Sequence, residues 1–138
     1  MEKKISLLIN NGMNSYRNAK EEDALNSLIE AVELARNEGL KDLMSEALKN
    51  IGDIYRNNGR MDESIKFYKR SLKINEEIGN LSNSAACLYN IGSILHTHGN
   101  YSEALEYYKK SIQIYEEIDA SVKISDVQIK IDEIKTKI

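Results

Sequence analysis

Apolar residues recur along this chain at steps of three and four. Met44, Leu48, Ile51 and Tyr55 share one side of a first helix, and Ile65, Tyr68 and Leu72 share one side of a second. That second segment carries another stripe, Phe67, Ser71, Ile74 and Ile78, which returns forty residues later as Tyr107, Ser111, Ile114 and Ile118. A helix with two buried stripes needs two neighbours, so the pattern predicts helices packed in series. Near the end, Ile124, Val127, Ile131, Ile134 and Ile138 form one stripe with Lys123, Lys130, Lys135 and Lys137 elsewhere. This predicts a closing helix over residues 121–138, capped by Ser121, that covers the preceding unit and keeps its outer side wet. Val122 and Ile129 fall off the stripe and are candidates for self-association, or for contact with further repeats.

The period of forty holds along most of the chain. Aligning 41–80 with 81–120 gives 14 identities in 40 without a gap, among them Asn50/Asn90, Ile51/Ile91, Gly52/Gly92, Tyr68/Tyr108 and Ser71/Ser111. Residues 1–40 follow more loosely, with Asn10, Gly12, Ala24 and Leu28 in register, and a fourth unit begins after Ala120 and is half-built. Glycine inside a helix costs about 1 kcal/mol relative to alanine, so Gly12, Gly52 and Gly92 need a reason. Close approach supplies one, since a small residue, Ala24, Ser64 or Ala104, follows each by twelve positions. Gly59 and Gly99 sit where a helix ends in the left-handed conformation, and the first unit has Ala19 there. Asn100 with Glu103 has the form of a capping box.

Composition narrows the function. The 138 residues suit one domain, and a net charge of -3 with both signs interspersed offers no field to draw in nucleic acid or an anionic membrane. The single Cys87 cannot close an internal disulfide and is expected to be a half-buried core residue. The apolar run near the start is too short for a secretory leader, and no window reaches the ~18 apolar residues of a membrane span. A soluble, cytoplasmic protein is expected. No phosphate loop, zinc spacing or nucleophile elbow is present, so neither an enzyme nor a cofactor is expected. His96 and His98 stand two apart, not the four a helical metal pair needs, and are expected to be solvated. Glu76-Glu77 and Glu116-Glu117 recur with the repeat as a wet face.

Leu-x-x-Ile-Gly-x-Ile-Tyr from Leu48, Gly59 seven residues on, then Ser64, Tyr68 and Ser71 at four- and three-residue steps, resemble the tetratricopeptide repeat. Its usual period is 34 and proline often ends the second helix; the period of forty without proline resembles the repeats of kinesin light chains and bacterial peptide-sensing regulators. The resemblance implies an all-α fold, a right-handed α-solenoid of three antiparallel helix pairs (1–40, 41–80, 81–120) plus the C-terminal capping helix. It also implies that first helices line a concave groove. At about 100° per residue, Lys49, Asn50, Asp53 and Arg56 lie opposite the core stripe of the first helix in the second unit. The same face carries Tyr89, Asn90 and His96 in the third unit, and Ile9, Asn10, Met13 and Arg17 in the first.

A carboxamide both donates and accepts, so it can hold the N–H and C=O of an extended peptide whatever its sequence. In those relatives the corresponding asparagine holds the ligand backbone, which the resemblance carries to Asn10, Asn50 and Asn90. Lys49, Arg56 and Arg17 would select acidic groups, and Tyr89, Met13 and Ile9 apolar ones. The expected function is a protein-interaction adaptor that takes a peptide or partner segment. The alternatives are a self-assembly module, a homodimer through the C-terminal helix, or a regulatory fragment of a larger bacterial sensor or phosphatase.

Overall fold

The computed structural model describes all 138 residues, Met1–Ile138, as seven helices and no strand. They are α1 (Glu2–Arg17), α2 (Glu21–Asn37), α3 (Lys41–Asn57), α4 (Met61–Glu77), α5 (Leu81–Thr97), α6 (Tyr101–Glu117) and α7 (Ser121–Lys135). The chain divides into two compact units, Met1–Ile74 and Asn75–Ile138, the division running through α4.

From α2 on, successive helices start twenty residues apart, half the period seen in the sequence. The reason lies in the turns. Ala19, Gly39, Gly59, Gly79, Gly99 and Asp119 all hold positive φ, between 55° and 79°. After each, the next backbone N–H reaches back to the carbonyl five residues earlier, from Lys20 to Ser15 at 2.8 Å and likewise on to Ala120 and Tyr115 at 2.9 Å. The turn at Ala19 is therefore the same turn as the others. A left-handed alanine is strained by about 1–2 kcal/mol where glycine is not. Ala19→Gly is accordingly expected to raise stability by about 0.5–1 kcal/mol once glycine's extra freedom in the unfolded chain is deducted. Urea unfolding followed by circular dichroism checks it.

In the first unit α1 packs on α2 and α2 on α3, around Ile5, Leu28, Leu48, Ile51 and Ile54. In the second, α5 packs on α6 and α6 on α7, around Ile91, Ile94, Tyr108, Val127 and Ile131. Buried hydroxyls bond the paired helices: Ser64 Oγ donates to the Gly52 carbonyl at 2.7 Å, Ser71 Oγ to that of Ser45 at 3.0 Å, and Ser111 Oγ to that of Ala85 at 2.9 Å. Cys87 is buried in the core, deeper than the half-burial expected of it.

The helical glycines answer to more than small neighbours. A Cβ on Gly52 would stand 2.9 Å from the ring of Tyr68, and one on Gly92 2.8 Å from the ring of Tyr108. Each tyrosine sets Cδ1 and Cε1 of its ring against a glycine sixteen residues earlier, and Leu28 takes that place over Gly12 at 3.1 Å.

Four local expectations fail. Asn100 makes no side-chain cap, whereas Asn80 does, accepting from the Asn83 N–H at 3.1 Å. Ser121 is the first residue inside α7, and the capping position is Ala120. Ile138 lies beyond α7 and is exposed, because the helix ends at Lys135 before the stripe reaches it. Ile78 is exposed as well, since α4 ends one residue before it.

Candidate functional site

Position along α1 and α3 decides what shares a surface in the first unit. Ile9, Asn10, Met13, Asn14 and Arg17 recur at steps of three and four on α1, as Glu46, Lys49, Asn50 and Asp53 do on α3. Together they line a groove of about 600 Å³. Asn10 is exposed on one wall. Asn50 is only 8% exposed, so its carboxamide sits deep in the groove and not on the solvated face expected for it. The helices close over it because α3 is buried on both sides, by Leu48 and Ile51 on one and by Ala47 and Ile54 on another. Ile9 is 2% exposed and belongs mostly to the core, which leaves Met13 as the apolar group available in this groove.

Lys49 and Asp53 are already engaged. Lys49 Nζ lies 2.9 Å from Asp53 Oδ2, and the other oxygen of Asp53 accepts from the Tyr68 hydroxyl. Burial, and then the Asp53 carboxylate, push the Tyr68 hydroxyl well above its ordinary range, so it remains a donor. The positive charge of Arg56 works the other way on that hydroxyl, more weakly, and Arg56 does not line the groove. Arg17 donates to Asn14 Oδ1 at 2.9 Å. Of the residues picked from the sequence, the structure brings together Asn10, Met13, Arg17, Lys49, Asn50 and Asp53.

In the second unit Ala86, Tyr89 and Asn90 of α5 face Lys123, Asp126, Val127, Ile129 and Lys130 of α7 across a groove of about 410 Å³, with Tyr115 of α6 beside them. Apart from Ile129, put forward for self-association, the α7 residues were not among the sequence candidates. Their register held the signal, since Lys130 stands forty after Asn90, which stands forty after Asn50. Next to it His96, Thr97, Glu133 and Lys137 help to line a hollow of about 310 Å³. His96 is not solvated as expected: its Nδ1 lies 3.1 Å from the Tyr108 hydroxyl and its Nε2 4.0 Å from Glu133. His98 is exposed. No three His, Cys, Asp or Glu side chains come together as a metal site, and no helix is long and apolar enough to cross a membrane.

Residues 43–117, more than half the chain, match the family model described as Tetratricopeptide repeat. The chain belongs to the tetratricopeptide repeat family. Among solved structures, this tetratricopeptide chain resembles aspartyl phosphate phosphatase F from Bacillus subtilis, with a TM-score of 0.86 and 21% identity over 91% of this chain and 33% of that one. It also resembles a signal transduction ATPase with numerous domains and a tetratricopeptide repeat sensor from Pyrococcus horikoshii, with a TM-score of 0.80 and 20% identity over 92% of this chain and 20% of that one. A third is the N-terminal domain of stress-induced protein-1 from C. elegans, with a TM-score of 0.72 and 14% identity over 90% and 94%. The chain thus spans about a third of the first and a fifth of the second. No curated protein matches it in sequence. The all-α helical-repeat fold expected from the sequence is the fold these structures share, and the chain is a helical-repeat module of protein interaction or regulation.

Proposed function

We propose that this tetratricopeptide chain is a non-catalytic adaptor whose odd-numbered helices hold extended backbone of a protein partner. The observation that carries the reading is that Asn10 and Asn50, from two different helices, line one groove. Two carboxamides on facing walls offer donors and acceptors to a peptide's N–H and C=O, a form of capture that does not depend on the ligand's side chains. Asn90 offers the same chemistry in the groove of the second unit. With Lys49 neutralised by Asp53, selection for acidic groups in the first groove falls to Arg17, and Tyr89 supplies an apolar contact in the second.

In this reading α7 is a cap. It stands in the register of α3 and α5, yet Gln128, Asp132 and Lys135 occupy the places of Leu88, Gly92 and Leu95. All three are exposed, and Gln128 Nε2 donates to Asp132 Oδ1 at 3.0 Å. A helix laid there as α6 lies on α5 would bury a carboxylate without a counter-charge. That composition argues against a self-association surface along this side of α7.

The test uses extended peptides selected from a random display library on the wild-type chain. Asn50→Ala with Asn90→Ala is expected to weaken their binding at least tenfold. Helicity should persist and stability should move by no more than about 1 kcal/mol, because alanine's better helix propensity offsets the lost polar contacts. Affinity unchanged in the double variant would end the proposal.

A further inference from the structure

A second hollow in the first unit uses a different side of α3. Leu48 and Ile51 form its floor, and α2 and α4 form its walls through Ile29 and Phe67. Arg36 and Arg70 stand at its rim with one acid, Glu33, and its volume is about 270 Å³. The asparagines are not part of it. The Arg70 guanidinium lies 5.2 Å over the Phe67 ring, whose far neighbour is the stacked ring of Tyr55 at 5.6 Å. Neither Arg36 nor Arg70 is paired with a carboxylate.

The repeat itself shows that this surface is unusual. Ile29 is 43% exposed, while the equivalent positions in the next two units are Lys69 and Lys109. Arg36 corresponds to Glu76 and Glu116 while Glu33 corresponds to Lys73 and Gln113, so the acid and the base of α2 trade places relative to the next unit and the cation at Arg70 is kept as Lys110. A lysine at an exposed helical position is readily solvated, whereas an isoleucine there leaves apolar surface in water at the edge of an apolar hollow. The departure at this hollow is therefore the apolar residue in its wall, Ile29 where the other units carry lysine.

We infer that this face of α2, α3 and α4 is a second docking surface, for a segment of a protein partner that carries one large apolar side chain between acidic residues. The apolar side chain enters between Ile29 and Phe67 onto Leu48 and Ile51, and the carboxylates meet Arg36 and Arg70. Charge complementarity sets the choice: two free guanidinium groups against one carboxylate leave the rim cationic on a chain that is acidic overall. The surface is independent of the asparagine grooves, so a partner there and a peptide on the odd-numbered helices can be bound together.

The experiment titrates the full chain, labelled for amide NMR, with a short peptide holding a central phenylalanine flanked on both sides by glutamates, and with a control flanked by lysines. Shifts are expected at Ile29, Arg36, Phe67 and Arg70 with the acidic peptide, larger at low salt. Ile29→Asp should weaken that binding at least tenfold, and Arg36→Glu with Arg70→Glu should turn the preference toward the lysine peptide. The inference is overturned by shifts confined to Asn10, Asn50 or α7, by no shift up to millimolar peptide, or by equal response to both peptides. Concentration-dependent shifts of the same residues without peptide would also overturn it, by showing a second copy as the occupant.

Discussion

Tyr108→Ala is expected to destabilise the second unit by about 3–5 kcal/mol, the range for removing a fully buried aromatic ring. The ring is 0% exposed and lies on the backbone of Gly92, against the ring of Tyr89 and edge-on to that of His96. Backbone atoms of α5 and α6 cannot follow a vanished ring, so most of the cavity should remain. The lost hydroxyl also strands His96 Nδ1, now 3.1 Å from it. Urea denaturation of wild type and variant gives the difference directly, and a loss below about 1 kcal/mol would show that the helices close over the space.

Gly92→Ala tests the same contact from the other side. In an isolated helix this change stabilises by about 1 kcal/mol. Here the new Cβ would stand 2.8 and 2.9 Å from two ring carbons of Tyr108, with the Ala104 carbonyl at 3.4 Å. The ring is clamped and cannot swing away, so a net destabilisation of about 1–3 kcal/mol is expected. In the Tyr108→Ala background the clash is gone and the sign should invert, with alanine now stabilising. A double-mutant cycle therefore reads a large coupling between the two positions. Gly12→Ala should be milder, since the nearest atom is Leu28 Cγ at 3.1 Å and a leucine can shift.

Periodicity carried the fold. Apolar steps of three and four placed α3, α4, α6 and α7, because burial of one or two stripes is what selects the residues there, and the forty-residue repeat carried the reading to the others. The turns were half legible: glycine marks four of six, while Ala19 and Asp119 adopt the same left-handed turn without the residue that advertises it. The reason for Gly52 and Gly92 was read one turn too short, since sequence spacing shows which residues are small but not where a ring lies down. At the candidate site, pattern found the asparagine register but not the depth of Asn50, which depends on how α3 is enclosed. It missed Lys123, Asp126 and Lys130 because α7 has diverged so far from α5 that the register, not the residue types, carries the correspondence.

The hydroxyl-to-carbonyl bonds from Ser64 to Gly52 and from Ser71 to Ser45 have a consequence for anything that touches α3. A bond from a short side chain to the neighbouring helix's backbone fixes how far each rod can roll about its own axis. Asn50 and Asp53 therefore face the groove at angles set before any visitor arrives, and little rotational freedom is left to surrender on contact.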